Sequence, residues 1–143
     1  MTNKWLYHDK EYKLPEECSP KELYGFVYLI TNKITNQQYV GKKWFWSTKT
    51  LPITKTRKRR KKLLVESNWK DYYGSNDRLN KDVIEHGVDN FKREILHLCK
   101  SKGDCSYMEA KEQFDRDVLL SENYYNGIIA CKISGMHVKN LIK

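Results

Sequence analysis

The sequence is short of several things, and each shortage closes a class of function. Its four cysteines, Cys18, Cys99, Cys105 and Cys131, form no CxxC pair, and no histidine stands at zinc-ligand spacing from them. They predict free thiols in a reducing compartment, with neither a zinc knuckle nor a disulfide framework. No apolar run approaches the roughly 20 residues of a membrane-spanning helix. The opening MTNKWLYHDKEYKLPEEC lacks the basic, apolar and small-residue layout of a secretory signal. The expectation is an intracellular protein with no membrane partner. No repeat or low-complexity linker divides the 143 residues, a length suited to one domain.

Negative charge is missing from one stretch altogether. Between Lys42 and Lys62 there are ten lysines and arginines and no acid, in a chain of net charge +9. Such a segment is the footprint of a polyanion partner. In KTRKRRKK, Lys55, Arg57, Lys58, Arg59, Arg60, Lys61 and Lys62 could neutralise several phosphates and make binding fall steeply with salt. The plainer reading is a solvated basic loop or a localisation tract.

Residues 1–22 are polar, contain Pro15 and Pro20, and predict an irregular lead-in to a single domain over 23–143. Gly25 to Thr31 and Gln37 to Lys42 read as a hairpin joined by the polar NKITN. The basic insertion, about 44–66, has no apolar period after residue 46 and predicts a loop. Ser75 or Asn76 can cap a helix with Leu79, Val83 and Ile84 inward that stops at Gly87. A third strand centres on NFKREILHL, with Phe91, Ile95 and Leu98 inward. Tyr107, Ala110, Phe114 and Val118 then fall at helical spacing. The tail YYNGIIACKI suggests a short strand or extended cover.

A hairpin turn near Lys33-Ile34 sets Tyr28 and Tyr39 on one face and Val27 and Val40 on the other. A one-residue slip would separate the two phenols. A tyrosine pair in a hairpin is by itself a packing feature.

FVY at 26–28 and YVG at 39–41, followed by a basic segment, YYGSN, a helix ending in EHG, an NF…IL strand, and an acid-bearing helix before YYN, together resemble the GIY-YIG nuclease family. The layout is similar to its phage-encoded free-standing, homing-type endonucleases over about residues 24–130. The resemblance implies an α+β fold with a small three-stranded antiparallel sheet flanked by helices. It also implies hydrolysis of phosphodiester bonds in double-stranded DNA, a single Mg²⁺ or Mn²⁺, action as a monomer or transient dimer on DNA, and, if phage-encoded, the cytoplasm of a bacterial host. A non-catalytic basic nucleic-acid-binding module on the same fold, or a ribosome-associated basic protein, would share the charge and the aromatics.

On the family pattern Tyr28 is the general base and Tyr39 positions the water or the phosphate. A free tyrosine titrates near ~10, so a base at neutral pH needs positive charge or a hydrogen bond favouring phenolate. Strand alternation points Lys43 to the Tyr39 face and Lys42 away from it, as a surface lysine. The family arginine lies on a helix soon after the second tyrosine, but WFWSTKTLPITKT intervenes in this chain. Counting back from YYGSN indicates Arg60, with Arg57 and Arg59 as alternatives. Tyr73 stands where a histidine is common in the family and could relay a proton or bind phosphate; packing or base stacking is the alternative. His86 suits a helix end better than catalysis. Glu109 or Glu112 would hold the metal, with Glu109 preferred, although Ser106-x-x-Glu109 also reads as a capping box. Asn126 resembles the family's late asparagine and would orient the site or form a turn.

Overall fold

The computed structural model describes residues 3–141; residues 1–2 and 142–143, within the expected lead-in and domain, lie outside the described residues. Its centre is three antiparallel strands, β3 (Gly25–Asn32), β4 (Gln38–Trp44) and β7 (Phe91–Cys99), with β3 in the middle. In β3, every residue but Thr31 is buried, as its aromatic and branched side chains require of a strand covered on both faces. Phe26, Tyr28 and Ile30 enter one core with Trp5, Phe45, Trp69, Leu79 and Phe91. Val27 and Leu29 join Val40, Cys99, Cys105 and Val118 on the opposite face, beneath α2 (Lys102–Asp115). At the β3–β4 turn the Asn32 side chain accepts from Ile34 N at 2.9 Å, and Asn36 takes a left-handed φ of 63°.

The sheet has five strands where three were expected. The 1–22 lead-in, expected to be irregular, contributes β1 (Trp5–Tyr7), parallel to β7, and β2 (Lys10–Glu11), giving the order β2-β1-β7-β3-β4. Trp5 explains the docking. Its ring meets Phe26 and Tyr28 edge-on at 4.9 and 5.4 Å, and Nε1 donates to Trp69 O at 2.7 Å. Three residues are too few to display a period, so aromatic packing rather than patterning forms this strand.

The basic insertion is also not a loop. β5 (Trp46–Leu51) and β6 (Lys61–Glu66) make an antiparallel hairpin registered from Trp46↔Glu66 to Leu51↔Lys61. Nearly all of it is exposed on both faces, so no apolar alternation marks it in the sequence; Thr48, Thr50 and Val65 supply the β-propensity. Its base is fixed by Phe45, which is fully buried, and by Trp46 Nε1 donating to Leu23 O at 2.8 Å.

α1 (Asp77–His86) starts where Asn76 accepts from Leu79 N at 3.0 Å and stops at Gly87, φ 86°. Leu79 is buried as expected, but Ile84 is 84% exposed. α2 begins earlier than its apolar residues suggest, with Ser101 accepting from Asp104 N at 3.2 Å. Its buried residues are Asp104, Cys105, Ala110 and Gln113. Tyr107 and Phe114, expected inward, are exposed, because the polar Asp104 and Gln113 occupy part of the inner face. In the tail, Tyr124 bridges to Gln38 and Tyr125 is buried. Among the described residues no helix is long and apolar enough to cross a membrane.

Candidate active site

β3 and β4 pair Tyr28 with Gly41 and Ile30 with Tyr39, so both phenols share a face, with ring centroids 6.1 Å apart. Gly41 makes this possible. A Cβ there would fall 2.6 Å from Tyr28 Cζ and 2.9 Å from Tyr39 Cε2, closer than carbon atoms approach. A second glycine, Gly74 (φ 92°), lies at the Tyr28 hydroxyl, where a Cβ would be 3.3 Å from the oxygen. Opposite Tyr28 the β7 ladder skips a residue: Val27 pairs with His97 and Tyr28 with Ile95. Such a bulge increases local twist and re-aims the strand.

The third phenol at this point is Tyr72, 6.0 Å from the Tyr28 ring and edge-on to it. Tyr73, the residue expected in the supporting role, turns the other way. Its ring lies 4.2 Å from the Arg93 guanidinium, inside the core. Adjacent residues of extended chain point to opposite sides, so only one of the pair can face Tyr28. Lys43 is on the Tyr39 face as alternation predicts, with Nζ 4.3 Å from the Tyr72 ring centre. Tyr39 Oη meets Ser75 Oγ at 3.3 Å.

Burial holds the Tyr28 phenol well above the ordinary tyrosine value, reinforced by Tyr72, Tyr39, a hydrogen bond with Tyr72 and the Glu109 charge. Tyr39 is also raised, first by burial, against a hydrogen bond from Ser75. In this state both are neutral phenols. The charge expected to favour a phenolate is spent elsewhere: the Lys43 ammonium faces Tyr72, and Lys42 faces a carboxylate.

That carboxylate is Glu109, on the opposite side of edge strand β4. Lys42 is therefore not the free surface lysine expected. It is half-buried, 3.5 Å from Glu109 Oε1, and donates to Ser106 Oγ at 2.9 Å. Because α2 is capped at Ser101, Glu109 lies in its middle and the Ser106 capping box does not form. Burial raises the Glu109 pKa, partly offset by Lys42. Its charge is a secondary cause of the raised Tyr28 and Tyr39 pKa values. Glu112 is committed to a different network, accepting from Arg116 Nε at 2.9 Å and pairing with His97 Nε2 at 2.8 Å. Burial opposes its ionisation, but those bonds hold it below the usual carboxylate value. Of the two acids, Glu109 suits a divalent ion: a hard oxygen donor, already matched to one cation and not tied up by an arginine and a histidine as Glu112 is.

Asn126 is buried, and its amide is consumed by one residue's backbone. Its Oδ1 accepts from Val40 N at 3.0 Å and its Nδ2 donates to Val40 O at 2.8 Å. Gln113 Nε2 donates to the same carbonyl at 3.1 Å. Together they fix β4 between Tyr39 and Gly41, a positioning role that no sequence signal predicts for Gln113.

The cations of the insertion stand apart. Lys55, Arg57, Lys58, Arg59 and Arg60 occupy the connection beyond the Leu51↔Lys61 pair, and Lys61 and Lys62 begin β6. Six strand residues at about 3.3 Å each set that tip roughly 17–20 Å along the hairpin from its base. Arg57 is used locally, donating to Pro52 O at 2.6 Å. Arg60 lines a shallow depression with Thr50, Pro52 and Ile53, not the tyrosine cluster. A different arginine, Arg78, follows Ser75 by three residues in the first turn of α1, exposed and 5.6 Å from the Tyr125 ring centre. On the α1 surface Asp82, Glu85 and His86 also converge, but Asp82 already accepts from Tyr125 Oη at 2.6 Å.

Paired tyrosines on adjacent antiparallel strands, with an acid-bearing helix across the edge strand, define an α+β nuclease-type site. The chain matches the family described as "Putative endonuclease segE, GIY-YIG domain" over residues 5–129. It belongs to the GIY-YIG endonuclease family. It is 30% identical over 104 residues to "Putative endonuclease segE" of Enterobacteria phage T4, an alignment that covers 73% of this chain and 40% of that protein. The chain thus spans less than half the length of this relative. No solved structure matches.

Proposed function

We propose that the protein is a metal-dependent endonuclease that hydrolyses phosphodiester bonds of double-stranded DNA. The observation that carries the proposal is the convergence of Tyr28 and Tyr39 on Gly41 and Gly74, with Tyr72 edge-on to the Tyr28 ring and the Glu109 charge acting on both phenols. As its phenolate, Tyr28 takes a proton from the attacking water while the water oxygen bonds to phosphorus, the P–O bond to the departing sugar oxygen breaks, and that oxygen takes up a proton from solvent. Tyr39, held by Ser75, orients that water. Mg²⁺ or Mn²⁺ held by Glu109 would offset charge on the phosphate and favour the Tyr28 phenolate. The transition-state arginine is assigned to Arg78 in place of Arg60, since α1 starts beside Tyr39 whereas Arg60 rides the hairpin tip. Lys55, Lys58, Arg59, Arg60, Lys61 and Lys62 then serve to bind phosphate, with the protein acting as a monomer or a transient dimer.

Supercoiled-plasmid cleavage by wild type, Tyr28→Phe, Glu109→Ala and Arg78→Ala, with Mg²⁺ and with EDTA, tests these roles. Metal-dependent nicking lost in the first two variants and at least about 100-fold slower in Arg78→Ala supports the reading. Because the Tyr28 pKa is raised, its base form is scarce at neutral pH, and log rate should rise with pH at a slope near one. A folded wild type that binds DNA equally with and without metal, yet never cuts any substrate offered, would indicate the binding module instead.

A further inference from the structure

In the ion pair on the α2 side of β4, Glu109 is the acid assigned to the metal above, whereas Lys42 has no part in the chemistry proposed there. Lys42 and Glu109 are only 29% and 15% exposed, and Lys42 is the one cation within ion-pair distance of Glu109 among the described residues. Strand β4 fixes the Lys42 backbone, and α2 presents Ser106 and Glu109 one turn apart to receive the ammonium. A half-buried carboxylate that stays ionised is stabilised by a cation beside it, and in this protein a side chain supplies it.

We infer that the Lys42 ammonium occupies the divalent-ion position of the metal-free protein. Metal and Lys42 compete for the same Glu109 oxygens, and the ion loads as Lys42 withdraws. The inference rests on Glu109 being the metal ligand. Both cations cannot share one carboxylate at close range without strong repulsion. Lys42 has somewhere to go. Its flexible stem already places Nζ 5.6 Å from the Trp44 ring centre on the same strand face, an aromatic surface that accepts an ammonium. An incoming DNA phosphate would draw the released charge outward. The consequence is a protein that holds metal weakly until substrate arrives, which restrains cleavage without DNA-bound assembly.

Mn²⁺ binding without DNA, read as the loss of the free-ion electron paramagnetic resonance signal, tests this without any turnover. Lys42→Met should bind Mn²⁺ about tenfold or more tightly than wild type, and Lys42→Arg, which keeps the charge, no more tightly than wild type. Adding Glu109→Gln to Lys42→Met should abolish the gain. Equal Mn²⁺ affinity in wild type and Lys42→Met, with Glu109→Gln still weakening it, would overturn the competition and leave Glu109 as ligand. Indifference to Glu109→Gln in both backgrounds would remove the ligand assignment and this inference with it. If Lys42→Met does not fold, Lys42→Gln, which keeps a donor for Ser106, is read in the same way.

Discussion

Two β-hairpins follow one another in this chain, separated only by Phe45, and they share a backbone plan while doing opposite things. In β3–β4 almost every side chain of the first strand is buried; in β5–β6 every residue of the second is exposed. The first hairpin is held on both faces and at its edge, by two cores and by the Asn126 and Gln113 amides on Val40. The second is anchored at its base and extends its charge into solvent. Chemistry needs atoms fixed to within fractions of an ångström, whereas binding a flexible polyanion needs reach and charge. The difference teaches that packing, not strand pairing, decides which hairpin can host a reaction.

The comparison breaks most easily at Gly41. Gly41→Ala should abolish cleavage and cost about 1–3 kcal/mol of stability, because the new methyl collides with two packed rings rather than with a flexible side-chain end. Denaturant unfolding and plasmid nicking read both effects. A stable, fully active Gly41→Ala would show that the Tyr28 ring is free to move. Asn126→Ala comes next. It leaves the buried Val40 N–H without a partner, at about 1–3 kcal/mol. It should reduce turnover through β4 while leaving DNA affinity near wild type.

Glu112→Gln sharpens the comparison through pH. The folded-state pKa of Glu112 is lowered, so its stabilising contribution is present above the ordinary glutamate value of ~4.3 and is lost as pH falls through the depressed value. The wild type should therefore lose thermal stability more steeply than Glu112→Gln as pH drops from about 5 to 3. Melting temperatures across that range decide it. Parallel curves would mean that the His97–Glu112–Arg116 network adds nothing beyond packing.

How much of the molecule is legible in its sequence varies with the physics behind each element. The β3–β4 hairpin, α1 and β7 announce themselves because buried faces impose a period and caps mark the helix ends. Tyr28, Tyr39 and Lys43 fall on one face for the same reason. β1 is not legible, because three residues carry no period and Trp5 is held by partners distant in sequence. β5–β6 is not either, since neither face is buried. Tyr72 against Tyr73 depends on the direction of one extended peptide, and Lys42 on the helix that covers it. Arg78 lies after YYGSN, where a count back from that motif does not reach.

The smallest effect on stability is expected at the hairpin tip. Replacing Arg59, Arg60, Lys61 and Lys62 together with glutamine touches only exposed side chains, and such changes stay within about 0.5 kcal/mol each. Binding should respond very differently. Each phosphate contact removed lowers the magnitude of the slope of log affinity against log salt by roughly 0.9 for duplex DNA. DNA affinity measured at several salt concentrations should give a markedly shallower slope for the fourfold variant, with cleavage restored at low salt or high DNA concentration. If cleavage stays lost when the variant is saturated with DNA, the tip takes part in the reaction itself. Arg59 or Arg60 rather than Arg78 would then be the transition-state arginine, and the two hairpins would form one site instead of a fixed centre and a separate binding arm.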